Sequence, residues 1–214
     1  MAALRNRYYN GVAISRLIVG ITGATGSIFG IRLLEALQGA GVESHLVVSP
    51  WGARTLAHET SYTLDHVKRL ATCCYSPHDQ GAAISSGSFV TGGMVVAPCS
   101  MRTLAAIAHG HGEHLVHRAA DVILKERRKL VLVVREAPLS AIHLENMLTL
   151  ARLGVVIFPP VPAFYHRPRS VQEIVDQTVM RILDQLDIHL DWGERWDGEM
   201  SSVPDPEALP PHRP

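Results

Sequence analysis

Arg16 to Gly30, RLIVGITGATGSIFG, constrains the fold more than any other stretch of this 214-residue chain. An apolar run empties into closely spaced glycines, and a helical pattern begins directly after them. That order reads as a strand, a tight turn and a helix N-terminus, the opening unit of an α/β protein. Gly23 and Gly26 let the backbone turn sharply and leave amides uncovered, while Thr22, Thr25 and Ser27 add hydroxyls at the first helical turn. A phosphate suits such a junction. The spacing G-x-x-G-x-x-x-G fits neither the dinucleotide pattern G-x-G-x-x-G nor a P-loop, which carries a lysine after its last glycine. The stretch by itself points to a phosphate-bearing cofactor, against the plainer reading of a capping loop with no ligand.

The rest of the chain repeats the pattern. Ile28, Ile31, Leu33, Leu34 and Leu37 recur at helical spacing until Gly39 and Gly41 stop the helix. Val42 to Val48 reads as the second strand, and it delivers Ser49 to a helix, PWGARTLAHET, that carries Glu59. Short β-α-β connections predict right-handed crossovers and a parallel sheet. Ligands on such sheets sit beyond the carboxyl ends of the strands, so the Gly23 turn and Ser49 are expected to face one crevice.

Leu64 to Leu70 reads as a short helix, Ser76 to Gly81 as a loop, and AISSGSFVTGG as a binding loop rather than a linker. Met94 to Ala97 is a buried strand running into Pro98-Cys99-Ser100, and a helix starts at about Met101. Ser100 to Thr103 is therefore a second strand-to-helix junction with amides and hydroxyls on offer. Leu115 to Arg128 reads as a helix with Arg118 and Lys125 on one face, for which a solvated stripe is the plainer reading. Lys129 to Val134 is another buried strand, with Arg135 and Glu136 at its exit, where charge points to a ligand. Ile142 to Leu153 reads as an amphipathic helix and Val155 to Phe158 as a last short strand. The prolines of PPVPAFYHRPRS exclude regular structure and stiffen a loop that carries Tyr165 and Arg167. Ser170 and Glu173 form a capping-box pattern ahead of a helix that runs to about Leu186, with Arg181 in its middle.

Composition removes several function classes. Twenty basic residues balance twenty acidic ones, so no overall field favours nucleic acid or a membrane surface. The three cysteines, Cys73, Cys74 and Cys99, are odd in number and two are adjacent, which argues for a reducing, cytoplasmic setting. No apolar run approaches the roughly 18 residues of a membrane span. The stretch HGHGEHLVH, His109 to His117, holds four histidines, but no Cys or carboxylate spacing completes a recognised metal site. A loop with polar histidines is expected there, and no metal. The domain organisation reads as an arm over residues 1–15, one domain over 16–190, and a partly disordered tail over 191–214.

The segments GITGATGSIFG, ISSGSF, APCSMRTL, RAADVILKERRKLVLVVREAPLSAIHLENM and PPVPAFYHRPRS closely resemble the flavin prenyltransferase (UbiX) family, from about Arg16 to Ile188. The resemblance implies a flavodoxin-like or Rossmann-like three-layer sandwich with a parallel sheet, assembled as a homododecamer. It implies an enzyme that joins a dimethylallyl group from dimethylallyl phosphate to N5 and C6 of reduced FMN. The product, prenylated FMN, would serve a UbiD-type decarboxylase. By the same resemblance Gly23, Ala24, Thr25, Ser49, Ser100, Met101, Arg102, Thr103 and Arg135 contact FMN. Ser86, Gly87 and Ser88 line the allyl-phosphate pocket, where Arg118, Lys125, Tyr165 and Arg181 hold the phosphate. Glu59 and Glu136 match acidic groups implicated in the proton transfers, and Thr25 and Lys125 stand with them as catalytic.

These residue types suit the chemistry. Cations and a phenol stabilise a departing phosphate as its charge develops, which leaves no need for a metal. A carboxylate shielded by flavin, such as Glu136, is suited to proton transfer with a raised pKa. Cys99 reads as a small buried hydrophobe. Three features depart from the family pattern: Thr25 stands where many relatives have serine, the loop before ISSGSF lacks a tryptophan, and the tryptophan that closes the site is Trp196 or Trp192, with Trp196 favoured. The rival readings are an FMN-dependent cysteine decarboxylase, an accessory B subunit of a hydroxyarylic acid decarboxylase, and a flavodoxin-like electron carrier. The first would need a histidine base, and the intact Lys125, Glu136, Tyr165 and Arg181 set argues against the second.

Overall fold

The computed structural model describes residues 8–9, 12–13 and 16–198. Two dipeptide strands, β1 (Tyr8–Tyr9) and β2 (Val12–Ala13), pair antiparallel ahead of the main body. The expectation for the tail beyond residue 198 lies outside the described residues.

The main sheet holds β3 (Arg16–Ile21), β4 (Glu43–Val48), β5 (Cys73–Tyr75), β6 (Gly93–Cys99), β7 (Lys129–Val134) and β8 (Val156–Ile157), all parallel. Between and after them run α1 (Ser27–Gly39), α2 (Pro50–Glu59), α3 (Leu64–Leu70), α4 (Met101–Ala108), α5 (Leu115–Lys125), α6 (Ala141–Arg152) and α7 (Val171–Asp184). The strand order is β5-β4-β3-β6-β7-β8. The chain starts at the centre, builds to one edge, then returns to β6 and builds to the other. That is the doubly wound Rossmann order, with its switch point between β3 and β6.

Alternation along the strands divides the core between two layers. Leu17, Val19 and Ile21 of β3 face a cluster that includes Leu34 and Leu37 of α1 and Val179, Ile182 and Leu183 of α7. Ile18 of β3 and Met94 and Val96 of β6 face the opposite cluster, with Leu104 of α4, Val116 and Ile123 of α5 and Leu150 of α6. A strand covered on both faces reads as a continuous apolar run, as KLVLVV does.

Besides the β1–β2 pair within the arm, β5 and the end of α5 differ from the sequence reading. β5 was not expected, because three residues, CCY, are too short to show a period and the strand exists only by pairing along β4. α5 stops at Lys125 rather than Arg128. Arg127 adopts φ 55, and the Arg128 amide reaches back to the Ile123 carbonyl at 2.9 Å while that of Arg127 bonds Leu124 at 3.0 Å. That is a Schellman closure, and it turns Arg128 away from the helix.

Candidate active site

The carboxyl ends of β3 and β6 diverge at the switch point, and Thr22 holds them in register. Its hydroxyl donates to the Pro98 carbonyl at 2.8 Å and accepts the Ser100 amide at 2.9 Å. Two helices begin at this edge. Ser49 caps α2, its Oγ accepting the Gly52 amide at 3.0 Å, with Pro50 at the first helical position. Ser100 caps α4, its Oγ accepting the Thr103 amide at 3.3 Å and donating to Thr103 Oγ1 at 3.1 Å.

Between these two N-termini lies a cleft of about 280 Å³, lined by Thr22, Gly23, Ser49, Trp51, Ser100, Arg102 and Thr103 among others. The crevice expected at the Gly23 turn and Ser49 is therefore present, with the Ser100–Thr103 junction as its other wall. Arg102 lines it while donating from Nη2 to Glu113 at 2.9 Å. At the exit of β7 the Arg135 amide donates to the Cys99 carbonyl at 3.3 Å, which sets the exposed Arg135 and Glu136 beside the Ser100 end. Cys99 is fully buried, and burial pushes its thiol up.

The histidines were misread in part. His114 and His117 line the cleft, and His117 is 7% exposed on the first turn of α5. Burial, with His114 beside it, holds the His117 imidazole below its usual range. The Nδ1 atoms of both rings are buried and unpartnered. The signal that places them is topological. α5 runs antiparallel to the strands, so its first turn sits at the carboxyl edge with the crevice. Among the described residues no group of His, Cys, Asp or Glu is arranged to hold a metal ion.

Around the glycine turn, the amides expected to stand open are partly filled. Gly26 adopts φ 99, a left-handed conformation suited to glycine, and caps α1 without a side chain of its own. The carboxylate of Glu59, from the end of α2, takes the Gly26 amide at 2.9 Å and the Ser27 amide at 3.1 Å. Burial opposes ionisation of Glu59, but the Thr25 hydroxyl and these two amides outweigh it and hold the carboxyl below its usual range. A depressed folded pKa gives stability that is present above the unfolded value of about 4.3 and lost as pH falls through the folded one. Glu59→Gln is expected to lower stability by about 0.5–1 kcal/mol at pH 7, modest because the side chain is exposed. Thermal melts of the two proteins should converge as pH falls through the depressed folded pKa of Glu59.

The remaining residues named from the sequence fall into two further groups. Ser86 and Ser88 share a hydroxyl hydrogen bond at 2.9 Å, and a Cβ at Gly87 would lie 2.8 Å from Lys125 Nζ. Arg128 pins this loop to α5, donating to the Gly87 carbonyl at 2.6 Å and the Phe89 carbonyl at 3.0 Å. The sequence reading passed over that arginine. Lys125 pairs with Glu126, and Arg118 pairs with Asp121 at 2.7 Å. This loop precedes β6 and Lys125 ends α5, so both lie toward the amino ends of the strands, opposite the crevice.

The third group is a pocket of about 570 Å³ formed by the loop after β8, by α7 and by residues 195–196. Tyr165, Arg181 and Trp196 line it together, with Phe158, Val161 and Arg195. Tyr165 accepts from Gln177 Nε2 at 2.9 Å, and its ring meets that of Trp196 edge-on at 5.7 Å. Trp192 instead lies under the Arg32 guanidinium at 4.9 Å. The S-x-x-E pattern also forms, with a shift: Ser170 accepts the Glu173 amide, while the Glu173 carboxylate reaches the Arg169 amide.

A family model described as Flavoprotein matches residues 6–183. A Bacillus subtilis protein called "Probable UbiX-like flavin prenyltransferase" is 62% identical over 183 residues, which cover 86% of this chain and 90% of that protein. The chain belongs to the flavin prenyltransferase family. AnUbiX, solved in complex with FMN and dimethylallyl pyrophosphate, matches with a TM-score of 0.86 at 51% identity, over 86% of this chain and 98% of that one. A dodecameric FMN-dependent UbiX-like decarboxylase from Escherichia coli matches with a TM-score of 0.84 at 55% identity, over 86% of this chain and 100% of that one. The FMN-dependent cysteine decarboxylase TvaF is 18% identical with a TM-score of 0.55, a likeness of fold alone. As a flavin prenyltransferase the chain is a transferase and a flavoprotein. No helix among its described residues is long and apolar enough to cross a membrane.

Proposed function

We propose that this chain transfers a dimethylallyl group from dimethylallyl phosphate to N5 and C6 of reduced FMN, and that the prenylated FMN passes to a UbiD-type decarboxylase in the cytoplasm. The observation that carries the reading is the pocket where Tyr165, Arg181 and Trp196 meet, which pairs a cation and a phenol with apolar walls. An allyl phosphate needs those groups: a charged end to hold the phosphate and an apolar wall for the C5 chain.

The crevice at the switch point fits FMN. Hydroxyls of Ser49, Ser100 and Thr103 and two helix N-termini converge there, donors suited to a phosphate and to ring heteroatoms. Gly23, Ala24, Thr25, Ser49, Ser100, Met101, Arg102, Thr103 and Arg135 would hold it. When bound, the reduced flavin supplies the electron-rich ring that accepts the C5 unit. The chain's own groups serve the leaving phosphate and the protons. Ser86, Gly87, Ser88, Arg118, Lys125, Tyr165 and Arg181 take up the phosphate as the carbon–oxygen bond breaks and the electron pair leaves with oxygen. Trp196 covers the pocket. Glu59, held ionised by Thr25 and the α1 amides, suits a base or positioning role, and Glu136 is left to move the proton associated with C6.

Lys125 and the serine loop lie opposite their own crevice, so one chain does not gather all the phosphate ligands. A second copy supplies the missing set, which supports a homo-oligomer, taken here as a dodecamer like the Escherichia coli neighbour.

The test is anaerobic. Purified protein, reduced FMN and dimethylallyl phosphate are mixed, and the released flavin is weighed by mass spectrometry. A gain of one C5 unit is expected. Unmodified FMN with both the phosphate and the diphosphate donor would overturn the reading and return attention to an accessory decarboxylase subunit.

A further inference from the structure

Asp184, the last residue of α7, is the most heavily bonded carboxylate described, with its side chain only 7% exposed. It accepts from Arg181 Nη1 at 2.9 Å, from Arg195 Nη1 at 2.8 Å and Nη2 at 2.9 Å, and it pairs with His189 Nδ1 at 2.9 Å. Both arginines line the pocket of Tyr165 and Trp196. Arg195 also donates to the Leu190 carbonyl at 3.3 Å, folding residues 190–195 into a closed turn directly before Trp196. Asp184 is the only carboxylate bonded to either guanidinium among the described residues, with Asp191 acting on Arg195 only at longer range. Each guanidinium carries five N–H donors, more than Asp184 engages, so both keep donors for a guest.

We propose that Arg195 is a second cation of the phosphate-ester pocket, aligned with Arg181 by Asp184 as a positioning residue, so that binding the ester also seats Trp196 over it. The ligand class is a phosphate or diphosphate monoester with a short apolar tail. The charged side of the pocket is the arginine pair, and Phe158, Pro159, Val161 and Ala163 supply the apolar side. The proposal rests on the allyl-phosphate reading above for the identity of the ester. Neither Asp184 nor Arg195 carries a signal in the sequence, because the pair forms only when the chain folds back across the end of α7.

The test uses the full-length, FMN-loaded protein and titration calorimetry with dimethylallyl phosphate and, separately, inorganic pyrophosphate. Arg195→Ala is expected to weaken binding of dimethylallyl phosphate by about 10- to 100-fold, the loss of one or two charge-assisted hydrogen bonds. FMN affinity should stay within about twofold, while in turnover kcat/KM for dimethylallyl phosphate should fall, with KM raised. Arg195→Lys should recover part of the binding, because it restores charge without the planar fork. Asp184→Asn should weaken binding by loosening both arginines. If that variant fails to fold, Arg195→Ala, altered at a half-exposed side chain, still decides. Anion binding by Arg195→Ala within twofold of wild type, even with a lower melting temperature, would reduce the contact to a structural latch and overturn the proposal. Wild-type protein that binds the ester through Arg195 but never prenylates FMN would sink the proposed function and leave this site standing. Wild-type protein that binds neither anion would sink both.

Discussion

Glu136→Gln is expected to release FMN without its C5 unit, with turnover reduced by about 100- to 10,000-fold, the range spanned by loss of a general acid or base. The substitution is close to isosteric. Glu136 Oε1 accepts the Ala137 amide at 3.2 Å, and a glutamine oxygen keeps that bond. The Arg135 amide still donates to the Cys99 carbonyl, so the β7 exit keeps its place beside the crevice. What disappears is the ability to take up and give back a proton. Single-turnover mass analysis of the flavin reads the step directly, and FMN affinity within about twofold of wild type shows that the site is intact. A wild-type rate in this variant would move the proton transfer away from Glu136.

Gly30→Ala is expected to destabilise the fold by about 3 kcal/mol, which is about 6–12 °C in melting temperature for a domain of this size. α1 crosses the sheet at Gly30 closely enough that a Cβ there would lie 2.4 Å from the Ala97 carbonyl oxygen and 2.9 Å from Ile21. Backbone cannot swing aside as a long side chain can, so the helix itself would have to shift. Alanine gains up to about 1 kcal/mol in helix propensity over glycine, too little to offset that clash. Gly39, at the end of the same helix, is the control, since nothing lies within 4 Å of its Cβ position. Gly39→Ala should be neutral or slightly stabilising. Equal melting temperatures for the two variants would refute the account of α1 docking.

Much of this was readable in the chain because the relevant signals are local. The strand, turn and helix from Arg16 onward, and the caps at Ser49, Ser100 and Ser170, depend on residues three or four positions apart, so a linear reading finds them. The crevice followed from β-α-β order alone. What escaped depends on distance in sequence. Glu59 reaches the α1 amides across 33 positions, and no pattern near Gly26 announces it. His117 closes the histidine run HGHGEHLVH, which reads as a polar loop, although it sits on the first turn of α5, which carries it into the cleft. The grouping of Tyr165 with Trp196 and the separation of both from Lys125 are tertiary facts. The resemblance named those residues without saying that one chain keeps them apart.

The sheet tapers. β6 at the centre has seven residues, while the outermost strands, β5 and β8, have three and two. Pro159, Pro160 and Pro162 follow β8 closely and have no amide proton to offer a further strand. Short, proline-guarded margins give a neighbouring chain little backbone to template on, which protects a crowded solution of this protein from cross-β association. Self-association is thereby left to helix surfaces. α6 presents Leu144 and Leu148, one turn apart and each about half exposed. A second copy of the chain would have to meet this one side chain to side chain, and a hydrophilic replacement at Leu144 or Leu148 is where such a contact would first weaken.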